Sequence, residues 1–455
     1  MTRPIPTTFR GHARALVTLG LPLVGSAVAG FAIHMTDVIM LGWYDVIALA
    51  SATIATSFWF NLWILGAGFG NAVSPMVASA IAAGDETRAR RVTRMAFWLS
   101  AGYALLMVPT LWWSEAVFLW IGQEPEVASL AQAYLRIAVW GMFPALAANV
   151  MRNYLGAQGL TAVQLWVTLG GVALNGLCNY ALIFGNLGLP ELGIRGAAIA
   201  SIAVQTATLA VLVWYAEWRL PEVRLFQRLW RDDAEARRDV FRLGLPIGLT
   251  SLSEGGLFTA SAVMMGWVGA VPLAAHGIAL QLAALTFMFH VGMSQAATIR
   301  AGGAYGRRDE TELRAVGRAA IVIGLGFGAV VVLTFLSIPE TLVALFVDPA
   351  EPTRAQLIAI GGTLVLMAAL FQFVDAGQII ALSLLRGVQD TAVPMWLAVV
   401  SYWLIGLPAS YLFGFVFGMG AVGIWLGLTF GLGTAAATMM VRFWGRSVRI
   451  ATPTG

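Results

Sequence analysis

Twelve apolar runs, each long enough to cross a lipid bilayer, dominate this sequence. Six fall at roughly 15–41, 48–81, 92–113, 130–154, 163–186 and 195–216. After a polar stretch at 217–241, six more follow at roughly 243–268, 273–300, 316–337, 356–384, 394–416 and 420–441. A hydrocarbon core is crossed by about 20 residues of helix. Charged residues make up 11% of the chain and hydrophobic ones 59%, against roughly 25% charged in an ordinary soluble domain. No soluble core absorbs that much apolar surface, so the solvent for most of the chain is lipid. The expected fold is an all-α membrane protein with twelve transmembrane helices.

The second set of runs is a diverged copy of the first. LGLP at 19–22, GW at 42–43 and DET at 85–87 return at 243–246, 266–267 and 309–311, all at an offset of 224. Further on the offset widens to 230, where TAV at 161–163 with Trp166 returns as TAV at 391–393 with Trp396. Several short identities sharing one offset indicate duplication, and function is then sought where the copies differ. The domain expectation is a six-helix lobe over 1–216, a linker over 217–241 and a second six-helix lobe over 242–455, with the two lobes around a central cavity.

The arginines set the orientation, because basic residues collect on the cytoplasmic side. All 27 basic residues are Arg, which removes any lysine Schiff base or phosphate-loop lysine. With the N-terminus inside, twenty-four arginines fall on the cytoplasmic side, among them Arg3, Arg10, Arg14, Arg88, Arg91, Arg152, Arg237, Arg307, Arg386 and Arg442. The opposite side receives Arg195 and Arg354, and Arg136 lies in or near a span. Both termini are therefore expected to be cytoplasmic. Six spans per copy is an even number, so the copies are parallel repeats about an axis along the membrane normal. The arginines ahead of the first run resemble the start of a signal peptide, but the run outlasts the usual ~7–15 apolar residues and heads a series, so it reads as a retained membrane helix.

Three acids lie inside apolar runs: Asp37, Glu254 and Asp375. A carboxylate in a bilayer is costly, and its default reading is an ion or substrate pathway. Glu254 is 12 residues from Arg242, a depth of about 18 Å along a helix. Asn175 and Asn179 are four apart and share a helix face; with Asp37 their amide oxygens suit a small cation such as Na⁺. Gln372 and Gln378 each stand three positions from Asp375 and extend it into a polar stripe. Asn149 and Asn153 repeat the four-residue spacing one span earlier, where helix–helix hydrogen bonding is the expected role. None of the three acids is duplicated: the positions matching Glu254, Asp37 and Asp375 are Gly30, Ser261 and Ala145. The copies are alike in build and different in chemistry.

Enzymatic readings find no constellation. His12, His34, His276 and His290 lack metal-ligand spacing, the single cysteine Cys178 allows no internal disulfide, and no nucleophile motif is present. Gly66-Ala-Gly-Phe-Gly70 and Gly324-x-x-x-Gly328 follow no strand and read as helix packing. No nucleic-acid motif occurs, and no cofactor is called for beyond a coupling ion, H⁺ or Na⁺.

The paired GLP openings, the glutamate after the second one in GLPIGLTSLSEGG (244–256), and the segments RNYLGAQGLTAV (152–163) and LRGVQDTAV (385–393) resemble the multidrug and toxic compound extrusion (MATE) family, in its bacterial branch, across essentially the whole chain. The resemblance implies a monomeric cation-coupled antiporter of the inner membrane that exports amphipathic organic cations, embedded in lipid and binding no nucleic acid. Carried over by position, Glu254 and Asp375 are the carboxylates of the second lobe, and Asp37, Asn175 and Asn179 the polar cluster of the first. One departure is Phe371, where some relatives place an aromatic hydroxyl a turn before the aspartate. The alternatives are a lipid-linked oligosaccharide flippase of the same superfamily, which would want a more basic interior, and a passive channel or sensor.

Overall fold

A computed structural model describes residues 6–450, so Arg3 lies outside the described residues. Every run expected to span is helical, and no strand occurs among the described residues. The first half contains α1 (Phe9–Tyr44), α2 (Val46–Ala82), α3 (Glu86–Trp112), the short α4 (Ser114–Trp120), α5 (Pro125–Ala157), α6 (Ala162–Leu182) and α7 (Ile194–Arg219). The second contains α8 (Ala234–Val268), α9 (Ala270–Gly306), α10 (Glu310–Ser337), the short α11 (Pro339–Ala344), α12 (Arg354–Gly387), α13 (Ala392–Val399), α14 (Leu407–Tyr411) and α15 (Gly420–Arg442). The copies match element for element, with α13 and α14 standing where α6 stands. That run is wound more widely, as π turns at Val400–Gly406 and Leu412–Val416.

Eleven of these helical runs are long and apolar enough to cross a membrane. The twelfth expected span is α8, a helix of 35 residues whose SLSEGG stretch at 251–256 dilutes its apolar character. The residue that weakens its hydropathy is Glu254 itself.

The repeated sequence marks turn out to be structural. Asp85 and Asp309, the first letters of the two DET triplets, are helix N-caps: Asp85 accepts from the Arg88 amide at 2.8 Å and Asp309 from the Glu312 amide at 2.8 Å. An aspartate at this position satisfies one of the free amides of the first turn. The TAV triplets open α6 and α13. Gly66 lies against Tyr103 and Gly70 against Asn149, while Gly324 and Gly328 lie against Ile380 and Ala376, so both glycine runs are packing surfaces. Met293, on α9, lies over Gly20, and Phe289 stacks on Phe327 with centroids 3.8 Å apart.

The chain forms two compact units, and their limits fall inside helices. One unit holds residues 1–24 and 249–455, the other residues 25–248. The sequence places the change of lobe in the linker at 217–241, whereas the packing divides α1 after Val24 and α8 after Gly248. Beside each limit lies a close backbone approach, and the two are related by the repeat. In the first unit a methyl group on Gly292 of α9 would land on the backbone of Val24. In the second, a methyl on Gly68 of α2 would land on the backbone of Gly244 and Gly248. Small residues permit such contact between membrane helices.

The linker is held to α3 through its own backbone. Arg90 Nη1 donates to the Val223 carbonyl at 3.1 Å, Arg94 Nη1 to Gln227 at 2.8 Å and Trp98 Nε1 to Leu229 at 2.8 Å. Arg91 grips Asp233 through both carboxylate oxygens, one bond measuring 3.0 Å. Asp233 also accepts from the Ala236 amide at 3.1 Å. The Arg91 guanidinium, helped by that amide, holds the Asp233 carboxyl down at about 2 against the cost of its partial burial.

Candidate functional site

Each unit contains a polar cluster within its apolar interior. In the unit of residues 25–248, Asp37 is half-buried on α1 and faces α6. Asn175 Nδ2 donates to Asp37 Oδ1 at 2.9 Å and Asn179 Nδ2 donates to the same oxygen at 2.6 Å. Asn179 also donates to Asn175 Oδ1 at 3.3 Å. The four-residue spacing therefore does put both amides on one face, against the acid. They present nitrogens rather than oxygens to it, and the buried Asn179 Oδ1 has no hydrogen-bond partner. Asn149 and Asn153 are arranged differently: Asn149 Nδ2 donates to the Ala67 carbonyl at 3.0 Å, and both amides donate to Asn71 Oδ1 at 3.2 Å. These ties join α2 to α5, the packing role expected of them.

In the other unit, Asp375 is 3% exposed at the middle of α12, and its Oδ1 has no hydrogen-bond partner. Its two flanking glutamines point to different neighbours. Gln372 donates to the Ala283 carbonyl at 2.9 Å and to the Thr286 hydroxyl, both on α9. Gln378 donates to the Tyr402 hydroxyl at 2.7 Å. Glu254, half-buried on α8, lies within electrostatic reach of Asp375 and of Arg386. It forms no ion pair among the described residues. Phe371 does not supply a hydroxyl but a ring, edge-on to Phe258 at 5.8 Å and to Trp425 at 5.6 Å.

Tyr402, Arg386 and Trp425 escape a reading of the sequence alone. Tyr402 lies within a π-wound segment, fully buried and within electrostatic reach of both acids. Its only advance signal is a tyrosine inside a largely apolar run. No group of three or more His, Cys, Asp or Glu side chains able to hold a metal ion occurs among the described residues.

The family is decided by comparison. The MatE family model matches residues 22–181 and again residues 246–412, one match per copy. The chain belongs to the MatE family. Members of the MATE family are transporters and not enzymes. The chain is 43% identical over 436 residues to "Probable multidrug resistance protein NorM" of Rhizobium meliloti (strain 1021), covering 95% of this chain and 93% of that one. It is 41% identical over 434 residues to the protein of the same name from Agrobacterium fabrum (strain C58 / ATCC 33970), again covering 95% and 93%. Among solved structures it matches the outward-facing conformation of a multidrug resistance MATE family transporter of the MOP superfamily, with a TM-score of 0.87, 21% identity and 97% of both chains covered. A MOP superfamily transporter from Pyrococcus furiosus matches with a TM-score of 0.84 at 22% identity, over 96% of this chain and 95% of that one. The two-lobe MATE fold and the expected family both hold.

Proposed function

We propose that this MATE-family protein exports amphipathic organic cations across the bacterial inner membrane by alternating access, driven by the entry of H⁺ or Na⁺, as a monomer with both termini in the cytoplasm. The observation that carries this reading is Asp375, buried in the membrane interior with a free oxygen and within reach of a second acid, Glu254. Two carboxyl groups so placed have no structural need of each other. A carboxyl away from water binds its proton tightly, whereas a cation beside it displaces that proton. An organic cation and a coupling ion then compete for the same oxygens, and arrival of one expels the other. The inward drive on each coupling charge is about 2.3 kcal/mol per 100 mV. Apolar walls around the acids favour aromatic cations broadly rather than selectively.

Asp37, Asn175 and Asn179 form a second ion position. Asp37 Oδ2 and the unpartnered Asn179 Oδ1 are the atoms a small cation would use, which fits the oxygen ligands such ions prefer. The names of the close relatives support multidrug export, and an acidic rather than basic interior disfavours a pyrophosphate-bearing lipid substrate.

The test is efflux of a fluorescent cation from proteoliposomes under separately imposed proton and sodium gradients, with Glu254→Gln and Asp375→Asn variants. The reading expects uphill export under at least one gradient and loss of coupling in both variants. Undiminished coupled export in both, or export only down the substrate's own gradient, overturns it.

A further inference from the structure

From Met95 to Trp112, α3 carries no charged residue, a length that nearly crosses a hydrocarbon core. The helix therefore passes from water into lipid around Arg90 and Arg94. Those two and Trp98, spaced four apart on one face, hold the linker by its carbonyls at Val223, Gln227 and Leu229. The linker there reads RLFQ and then RLWR over 224–231, one arginine opening each four-residue turn. Arg224 and Arg228 take the left-handed conformation, with φ 49° and 60°. The amides of Gln227 and Arg231 close these turns by donating to their carbonyls at 3.1 and 3.0 Å. Leu225 is buried, and Phe226 packs on Phe97 with centroids 6.0 Å apart. Arg228, Trp230 and Arg231 are left exposed.

This winding gathers four guanidinium groups. Arg94 Nη1 donates to the carbonyl of Arg228 itself at 3.3 Å, and Arg90, Arg228 and Arg231 all lie within electrostatic reach of Arg94. Main-chain carbonyls satisfy N–H groups of Arg90 and Arg94 but neutralise no charge. The acids of the linker are engaged elsewhere: Asp233 and Glu235 by Arg91, Asp239 by Arg88 and Asp232 by Arg237. Among the described residues no carboxylate pairs with any of the four arginines. Like charges held together on a fixed backbone repel one another, and an anion relieves them. The guanidinium fork suits phosphate oxygens. Two indoles flank the group, Trp98 being 51% and Trp230 78% exposed, and tryptophan collects at the headgroup level of a bilayer. Indole beside guanidinium at this depth favours an anion carried by a lipid over a soluble one.

We propose that Arg90, Arg94, Arg228 and Arg231, beside Trp98 and Trp230, bind the phosphate of an anionic phospholipid. Arg90 and Arg94 are held in place by their carbonyl bonds, and the exposed Arg228 and Arg231 supply the outer contacts. The lipid provides the negative charge that this part of the linker lacks and fastens it to the membrane surface beside α3. None of these groups belongs to the interior acid clusters, so the site stands apart from the coupling reading.

Two measurements on the full-length protein test it. Native mass spectrometry of protein released from nanodiscs of equal phosphatidylglycerol and phosphatidylcholine is expected to show at least fivefold preferential retention of phosphatidylglycerol. Arg228→Gln combined with Arg231→Gln is expected to cut that preference at least threefold. Arg446→Gln combined with Arg449→Gln, which removes the same charge from exposed positions elsewhere, is expected to keep it. No preference in wild type, or an equal loss in both double variants, overturns the proposal; the second result would report diffuse charge rather than a site. Excess inorganic phosphate is expected to displace no phosphatidylglycerol, and displacement would give the site to a soluble anion and overturn the lipid assignment. Hydrogen exchange needs no variant. The amides of 224–231 are expected to exchange at least threefold more slowly in phosphatidylglycerol than in phosphatidylcholine nanodiscs, and equal exchange overturns the site.

Discussion

Arg442 of α15 holds Asp390 through both carboxylate oxygens, Nε to Oδ2 at 2.7 Å and Nη2 to Oδ1 at 3.1 Å. Ser447 adds a third bond at 2.8 Å to the same carboxylate. Asp390 closes the α12–α13 turn, where Gln389 takes the left-handed conformation with φ 62°. The segment around it is one of those that carry the family resemblance, and this residue's part in it is to tie a turn to the last helix.

Replacing Asp390 with Ala strands a half-buried guanidinium and frees the turn. The expected loss is about 1–3 kcal/mol of stability, read as a lower thermal midpoint in detergent. Ion-driven export per folded molecule is expected to stay near wild type, because neither group reaches the interior acids.

Asp233 ties the linker to Arg91 and has a folded-state pKa of about 2, below the ~3.9 of a free aspartate. A depressed carboxyl contributes stability that is fully present above the unfolded value and is lost as pH falls through the folded one. Asp233→Asn keeps the cap on the Ala236 amide but removes the charge. The midpoint difference between wild type and this variant is expected to be constant from pH 7 down to about pH 4 and to shrink toward zero near pH 2. A difference that ignores pH would show the ion pair to be idle.

Gly292 and Gly68 occupy matching places in the two copies, each against the backbone of a neighbouring helix. A methyl group there requires backbone movement, so Gly292→Ala and Gly68→Ala are each expected to lower the thermal midpoint and the folded yield. Gly326, with no atom within 4 Å of its added methyl, provides the control. Gly326→Ala is expected to be neutral or slightly stabilising, since alanine favours helix by up to about 1 kcal/mol.

Asn179 brings 2.6 Å contact to Asp37 and carries a free oxygen. Asn179→Leu removes both while keeping bulk. Under the proposed function, its sodium- or proton-driven export is expected to fall at least tenfold. Asn153→Leu, which breaks one tie to Asn71 of α2 and two bonds to Asn149 within α5, is expected to reduce folded yield more than turnover.

The spans, the duplication and the three interior acids could be read from residues alone, because lipid imposes length and hydropathy directly on sequence. The pairing of Asp37 with Asn175 and Asn179 was legible for the same reason: two amides four apart share a face. What stayed hidden depends on which faces meet. Nothing in the local sequence says that Gln372 turns to α9 while Gln378 turns to Tyr402, or that His276 lies beside Trp425 nearly 150 residues away. The DET triplets were visible as repeats, but their role as caps rests on backbone geometry. The unit limits at Val24 and Gly248 lie inside helices, where no change of composition marks them, whereas a polar linker marks only a break in composition.

The division of α1 and α8 bears on how such a chain could have arisen. A single six-helix ancestor would have carried the opening turns of its first helix without the glycine-bearing surface that now receives them in the matching copy. Such a half-length chain would have been complete only beside a sister molecule, each lending its leading segment to the other. Gene fusion would then have turned that mutual loan into a fixed covalent arrangement. After fusion the two copies could no longer be exchanged or kept identical, which left Asp37, Glu254 and Asp375 free to appear on one side alone.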